Sequence, residues 1–205
     1  MIYEFRTYDL EPRSVEQFGE NTKAKLDGRL KLSPLGGFWY TEMGPLNQVV
    51  HIWPYEDANH RSDIRSKAVT EGDWPPDNND IILNMDSEIM LPAPFMRPLA
   101  PMDIGPVYEM RIYTYKPGDI PKVLDAWGDA IEKREEYSPL VGCWYSDVGG
   151  LNKFIHLWAY DSFESRNKVR TETRAQGVWP PKAVSYTHLR AHETLRYRVC
   201  RLGRE

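Results

Sequence analysis

Cysteine is scarce in this chain, with two in 205 residues, Cys143 and Cys200. They stand in no metal-binding spacing and build no disulfide framework, so a reducing cytoplasm is the expected compartment. Long apolar runs are missing as well. No stretch approaches the roughly 18–20 residues of a membrane span, which argues against membrane insertion. Positive charge is not in excess either. Lys and Arg number 26 against 30 Asp and Glu, a net charge of −4 that gives no basic footprint for nucleic acid. The N-terminus opens directly into MIYEFRTY, with neither a basic apolar signal nor an Arg-rich transit segment. No phosphate-binding Walker loop, dinucleotide fingerprint, CxxC pair, HExxH or G-x-S-x-G occurs. No metal and no cofactor are therefore expected, and no catalytic nucleophile can be named.

What the chain does contain is aromatic residues and a duplication. It has 7 Trp and 12 Tyr, side chains that combine large apolar area with a polar tip. SPLGGFWYTEMGPLNQVVHIW, from Ser33 to Trp53, returns as SPLVGCWYSDVGGLNKFIHLW, from Ser138 to Trp158. Tyr3 falls on Tyr108, 105 residues later, and the same offset holds without a gap to Pro76. YEFRTY matches YEMRIY, GDWPP matches GVWPP, and Arg61 and Arg65 match Arg166 and Arg170. Two copies of about 100 residues indicate tandem domains rather than a solenoid.

Each copy reads β-α-β-β-α-β. YEFRTY is short, aromatic and alternating, a strand. Val15, Phe18, Leu26 and Leu30 share one helical face, as Ile120, Val123, Leu124, Trp127 and Ile131 do in the second copy, with Ser14 and Asp119 as N-caps. GGFWYTE and NQVVHIWPY form a hairpin around Met43–Leu46. Residues 58–71 form a second helix with Ile64, Ala68 and Val69 inward, and Ser87 to Phe95 supplies a last strand, with Ile89 to Phe95 at a sheet edge. This is the split βαβ of a ferredoxin-like unit. The domains are expected at 1–98 and 106–183, joined by a Pro-rich linker at 99–105.

The YEFRTY opening, the Trp-Tyr hairpin, the repeated G-x-L-N-x-x-x-H-x-W-x-Y and the WPP after the second helix resemble the NIPSNAP family. That resemblance implies an α+β fold in which two tandem ferredoxin-like βαββαβ domains pack sheet to sheet as a dimeric α/β barrel. It also implies two functional classes. Animal members of the family are linked to mitochondria and to protein recruitment, which suggests a binding or interaction protein. Related barrels include oxygenases, isomerases and dehydratases that use no cofactor, which suggests a small enzyme. A small-molecule ligand, a protein partner and a homo-oligomer are all compatible with it.

Strand alternation separates two faces. One carries Glu4, Arg6, Tyr8, His51, Trp53 and Tyr55, and all six return unchanged as Glu109, Arg111, Tyr113, His156, Trp158 and Tyr160. The other drifts among aliphatic residues. Helices normally cover the aliphatic face, so the unchanged set is expected to face away from them, into the barrel. There it forms either a satisfied polar network that sets registry or a ligand pocket. A histidine near a carboxylate is either a general base or a hydrogen-bonded core residue. Asn47 and Asn152 suit the hairpin turn. Arg61 and Arg65 read as a solvated ion-pair face with anion binding as the alternative, and Trp74-Pro75-Pro76 as a rigid stop.

The second copy stops matching the first after Lys182. Residues 184–205 hold five Arg and two Glu, a charge of +3 against −7 for the rest. SYTHLRAHET resembles translated sequencing-adapter sequence, so this tail is expected to be non-native, with a divergent C-terminal extension as the alternative, and to leave the second sheet without its proper fourth strand, or with a weak substitute.

Overall fold

The computed structural model describes residues 1–71, 73–100, 104–181, 190–192 and 196–199, the last two segments as backbone only. The first copy runs β1 (Ile2–Leu10), α1 (Val15–Leu30), β2 (Gly37–Met43), β3 (Gln48–Tyr55), α2 (Ala58–Thr70) and β4 (Ile82–Pro92). The second runs β5 (Val107–Thr114), α3 (Ile120–Gly128), α4 (Ile131–Glu135), β6 (Leu140–Val148), β7 (Lys153–Tyr160) and α5 (Phe163–Ala175). Two short strands follow, β8 (Arg190–His192) and β9 (Arg196–Val199). The long helix of the first copy is broken in the second at Gly128, which stands where the first copy has Lys23. Asp57 and Ser162 cap α2 and α5 by accepting from backbone N–H groups, whereas Ser14 and Asp119 make no such bond.

Within each copy the antiparallel order is the ferredoxin-like one, β4-β1-β3-β2 and its counterpart through β5, β7 and β6. β4 also pairs with β6, and β9 pairs with both β2 and β5, so the strands close into a ring within one chain. Among the described strands, closure leaves no long open edge. The expected edge strand at Ile89–Phe95 is therefore corrected. β4 starts earlier, stops at Pro92 and is paired on both sides, which is possible because Pro92 lies at its very end. In the second copy β8 and β9, of 3 and 4 residues, take the place that β4 fills with 11. The remaining tail residues, 182–189, 193–195 and 200–205, lie outside the described ones. The segment leading into the linker is packed down, with Ala93 buried and Phe95 stacked on Trp127 at 6.4 Å, and Leu99 at the start of the linker is buried as well.

The faces are the reverse of the expectation. The barrel interior is aliphatic and aromatic, with Phe5, Ile52 and Met90 of one copy packed against Met110, Trp144 and Leu157 of the other. Trp144 meets Tyr3 and Phe5 edge-on at 5.8 and 5.0 Å, and Trp39 meets Tyr108 at 6.0 Å. His51, Trp53 and Tyr55 lie under the helices, where Leu26 of α1 and Ile64 of α2 cover Trp53 and Tyr55. The reason is solvation. A closed barrel of this size is filled by strand side chains alone, so a charge there would be left unpaired. The helix layer, by contrast, brings long side chains down onto the sheet from outside. Val69, expected inward, is 65% exposed, because α2 turns Ile64 and Ala68 to the sheet instead.

One repeated detail holds the interior together. Gly37 and Gly142 lie beneath the indoles of Trp39 and Trp144, two residues on. A Cβ on Gly142 would sit 2.0–2.8 Å from the Trp144 ring, which is fully buried and cannot swing aside. Gly142→Ala is expected to cost about 1–3 kcal/mol by overpacking. A urea melt with an unshifted midpoint would contradict this packing.

Candidate functional site

Between sheet and helices, each half holds a partly open cavity, about 310 Å³ in the first and about 300 Å³ in the second. All the residues singled out from strand alternation except Glu4 line one cavity or the other, so the predicted set is brought together, though beneath the helices and in two separate places.

In the first half, Glu4 sits behind the cavity wall with no solvent exposure. Its Oε1 accepts from Arg61 at 2.6 Å, Ser87 at 2.8 Å and Arg6 at 3.2 Å, and Arg65 stands at 3.5 Å. Burial pushes this carboxyl up, but the bonds from Arg61 and Ser87 and the charges of Arg65 and Arg61 outweigh it and bring the pKa down to about 2. Arg6 in turn donates to the Tyr8 hydroxyl at 2.7 Å. The second half repeats the hub. Glu109 takes Arg166, Arg170 at 3.2 Å and Arg111 at 3.2 Å, and Arg111 donates to Tyr113 at 2.9 Å. Arg61, Arg65 and their counterparts are thus partners of a buried carboxylate. The solvated-face reading is corrected, because α2 and α5 lie across β1 and β5.

His51 is stacked between Tyr8 at 5.1 Å and Phe38 at 5.9 Å. Trp53 Nε1 donates to His51 Nδ1 at 2.5 Å, and Trp158 Nε1 to His156 Nδ1 at 2.8 Å. An indole nitrogen only donates, so each Nδ1 is an acceptor and each neutral imidazole carries its proton on Nε2. Burial is the main force on both rings. With the charge of Arg6 it lowers His51 to about 3, Glu4 opposing, and burial with Arg111 and Arg134 lowers His156 well below the usual range. Both are neutral donors near pH 7.

The residues that strand alternation missed are Arg29 and Arg134. Each is almost fully buried and lies over an indole, Arg29 at 4.1 Å from Trp53 and Arg134 at 4.0 Å from Trp158. Arg29 donates to Ser33 at 2.7 Å and Tyr55 at 2.9 Å, and Arg134 to Ser138 at 3.0 Å and Tyr160 at 3.3 Å. Burial pulls the pKa of both guanidiniums down. The signal was available, since Arg29 and Arg134 stand at the same offset as the rest of the repeat. Trp74 and Trp179 complete the walls, edge-on to Trp53 at 5.8 Å and to Trp158 at 5.9 Å. Asn47 and Asn152 take positive φ, 54° and 56°, as the turn requires. The halves keep their volume with different fillings: Phe18, Thr22 and Phe38 of the first stand where the second has Val123, Trp127 and Cys143. Among the described residues no cluster of three or more His, Cys, Asp or Glu is arranged to hold a metal.

The family model for NIPSNAP matches residues 3–97 and again 108–198, once for each copy. The chain belongs to the NIPSNAP family. Human Protein NipSnap homolog 3B is 34% identical over 178 residues, covering 80% of this chain and 69% of its own. The NipSnap homolog of Dictyostelium discoideum is 30% identical over 188 residues, with 87% and 78% covered. A putative monooxygenase from Lactobacillus acidophilus has the same fold at 10% identity, with a TM-score of 0.66 over 97% of this chain and 92% of its own. The second NIPSNAP match runs past Lys182, across β8 and into β9, to residue 198. No helix among the described residues of this NIPSNAP chain is long and apolar enough to cross a membrane.

Proposed function

We propose that this NIPSNAP chain binds small molecules in two sites, one beneath the helices of each half. The observation that carries this reading is the coincidence of a cavity in each half with the polar-aromatic residues that both copies keep. A space of about 300 Å³ is at the lower end of ordinary ligand sites. Aromatic walls with a few fixed donors are what such sites are made of. The histidine chemistry favours binding over acid–base catalysis. A ring with a pKa of about 3, and with Nδ1 held by an indole, does not take up a proton near neutral pH.

The test is a thermal-shift and ligand-observed NMR screen of small metabolites on the wild type and on Ala68→Leu. Ala68 is buried and lines the first cavity, so the added methylenes occupy that space. Ligands are expected to bind the wild type, with the first-half share lost in the variant. Equal binding in both would place the ligand elsewhere. Leu46 and Leu151, exposed at the two hairpin turns, favour protein contact as a second reading. Sedimentation of wild type and a Leu46→Ser/Leu151→Ser double variant checks it, and identical self-association would count against it.

A further inference from the structure

Each cavity carries a surplus of positive charge. In the first half Arg6, Arg29, Arg61 and Arg65 surround one buried carboxylate, Glu4. In the second Arg111, Arg134, Arg166 and Arg170 surround Glu109. Among the described residues, Glu109 is the one carboxylate that lines the second cavity and none lines the first, with Glu4 behind its wall. Arg29 and Arg134 are the telling pair. Each is at most 3% exposed, each lines its cavity, and their hydrogen-bond partners among the described residues are neutral hydroxyls. Among the described residues the buried Nε of Arg134, like those of Arg61 and Arg166, meets no acceptor. Glu4 and Glu109 act on these two guanidiniums only from a distance, while three other arginines share each carboxylate, so a charge withdrawn from water here is under-compensated and costly. Such an arrangement is suited to a partner that brings the charge.

Resting on the small-molecule reading above, we infer that each cavity takes an organic carboxylate with a planar apolar body. The carboxylate meets the guanidiniums of Arg6 and Arg29, or of Arg111 and Arg134, whose N–H groups suit a two-oxygen acceptor. The histidine Nε2–H adds a neutral donor at the wall. The body lies against Trp53 and Trp74, or Trp158 and Trp179, in a space of about ten water volumes. A bare inorganic anion would satisfy the arginines but leave the indoles uncovered, so a one- or two-ring acid is the better fit.

The experiment is a matched series on the intact chain: phenylacetate and indole-3-acetate, their carboxamides, the corresponding amines, and inorganic phosphate. Binding is read by saturation-transfer NMR with competition. The carboxylates are expected to bind at least about tenfold more tightly than the amides, the worth of one charged hydrogen bond. That preference is expected to vanish when Arg29→Met is combined with Arg134→Met. The same double variant should keep or raise the ligand-free melting temperature, because it removes buried charge in surplus over the one carboxylate of each half. A purely structural pair of arginines would lower it. If the double variant does not fold, Arg65→Gln with Arg170→Gln, on partly exposed helix positions, replaces it and should narrow the preference.

Equal binding of acids and amides overturns the carboxylate assignment and leaves the ligand sites standing. Failure of every charge class to bind overturns both. Displacement of the organic acids by equimolar phosphate overturns the role given to the indole walls.

Discussion

Acidification from pH 7 to pH 4 is expected to remove most of the stability of this protein, well before its carboxylates are fully protonated. The cause is the buried histidines. An unfolded chain protonates histidine near pH 6.5, whereas folded His51 waits until about 3, because burial and Arg6 oppose its charge. Its folded pKa is depressed, so its neutral form contributes full stability above pH 6.5. That contribution falls away as the pH drops towards 3, where the unfolded state binds a proton that the native state refuses. For His51 alone the loss is about 3 kcal/mol at pH 4. His156, lowered for the same reason, acts in the same direction. Glu4 joins below about pH 4.5, since its native carboxyl stays ionised to about 2 while the unfolded one does not. Set against the 5–15 kcal/mol typical of a domain, these losses are decisive. Urea melts from pH 7 to 4 on the wild type and on His51→Gln/His156→Gln measure the effect. The double variant should be flat between pH 6.5 and 5. An unchanged slope would assign the acid sensitivity to other groups.

Glu4→Gln is expected to be the most damaging single change of a polar residue, at about 3–5 kcal/mol, because it leaves the surrounding arginines with no internal counter-charge. Glu109→Gln should behave alike in the second half. Arg61→Met should cost less, since Arg61 is partly exposed and Glu4 keeps Arg6, Arg65 and Ser87. Equilibrium denaturation of the three variants ranks them. A loss below about 1 kcal/mol for Glu4→Gln would mean that the carboxylate is not the hub of its cluster. Added organic carboxylate should restore part of the loss in Glu4→Gln, because it supplies charge where charge has been removed.

The order of elements was open to reading from period and punctuation alone. Alternation in YEFRTY and NQVVHIWPY, the Asn at each hairpin turn and the unbroken offset from Tyr3 to Pro76 led to two ferredoxin-like units, and the resemblance to the NIPSNAP family implied their closure as a barrel. The grouping of the candidate site residues was legible for a related reason. A duplicated chain that lets its aliphatic positions drift, while holding Glu, Arg, Tyr, His, Trp and Tyr in place, marks those six as jointly constrained by one environment. Even Arg29 and Arg134 carried the mark, although they sit on helices rather than strands.

Which side of the sheet that environment lies on was decided by the tertiary structure. Alternation sorts residues into two faces but does not say which face the helices cover. Composition pointed the wrong way, because an aliphatic face suits a helix layer and a sealed barrel interior equally well. Only the interior excludes every other element, so it can hold Phe5, Ile52 and Trp144 but no charge that needs a partner from a helix. Glu4 and Glu109 ended up where α2 and α5 lay arginines across them, and two cavities opened beside those clusters instead of one pocket between the sheets. The role of the histidines was likewise beyond the sequence. The residue type allows base, donor or ligand, and only the indole nitrogen at each Nδ1, together with burial, makes them neutral donors.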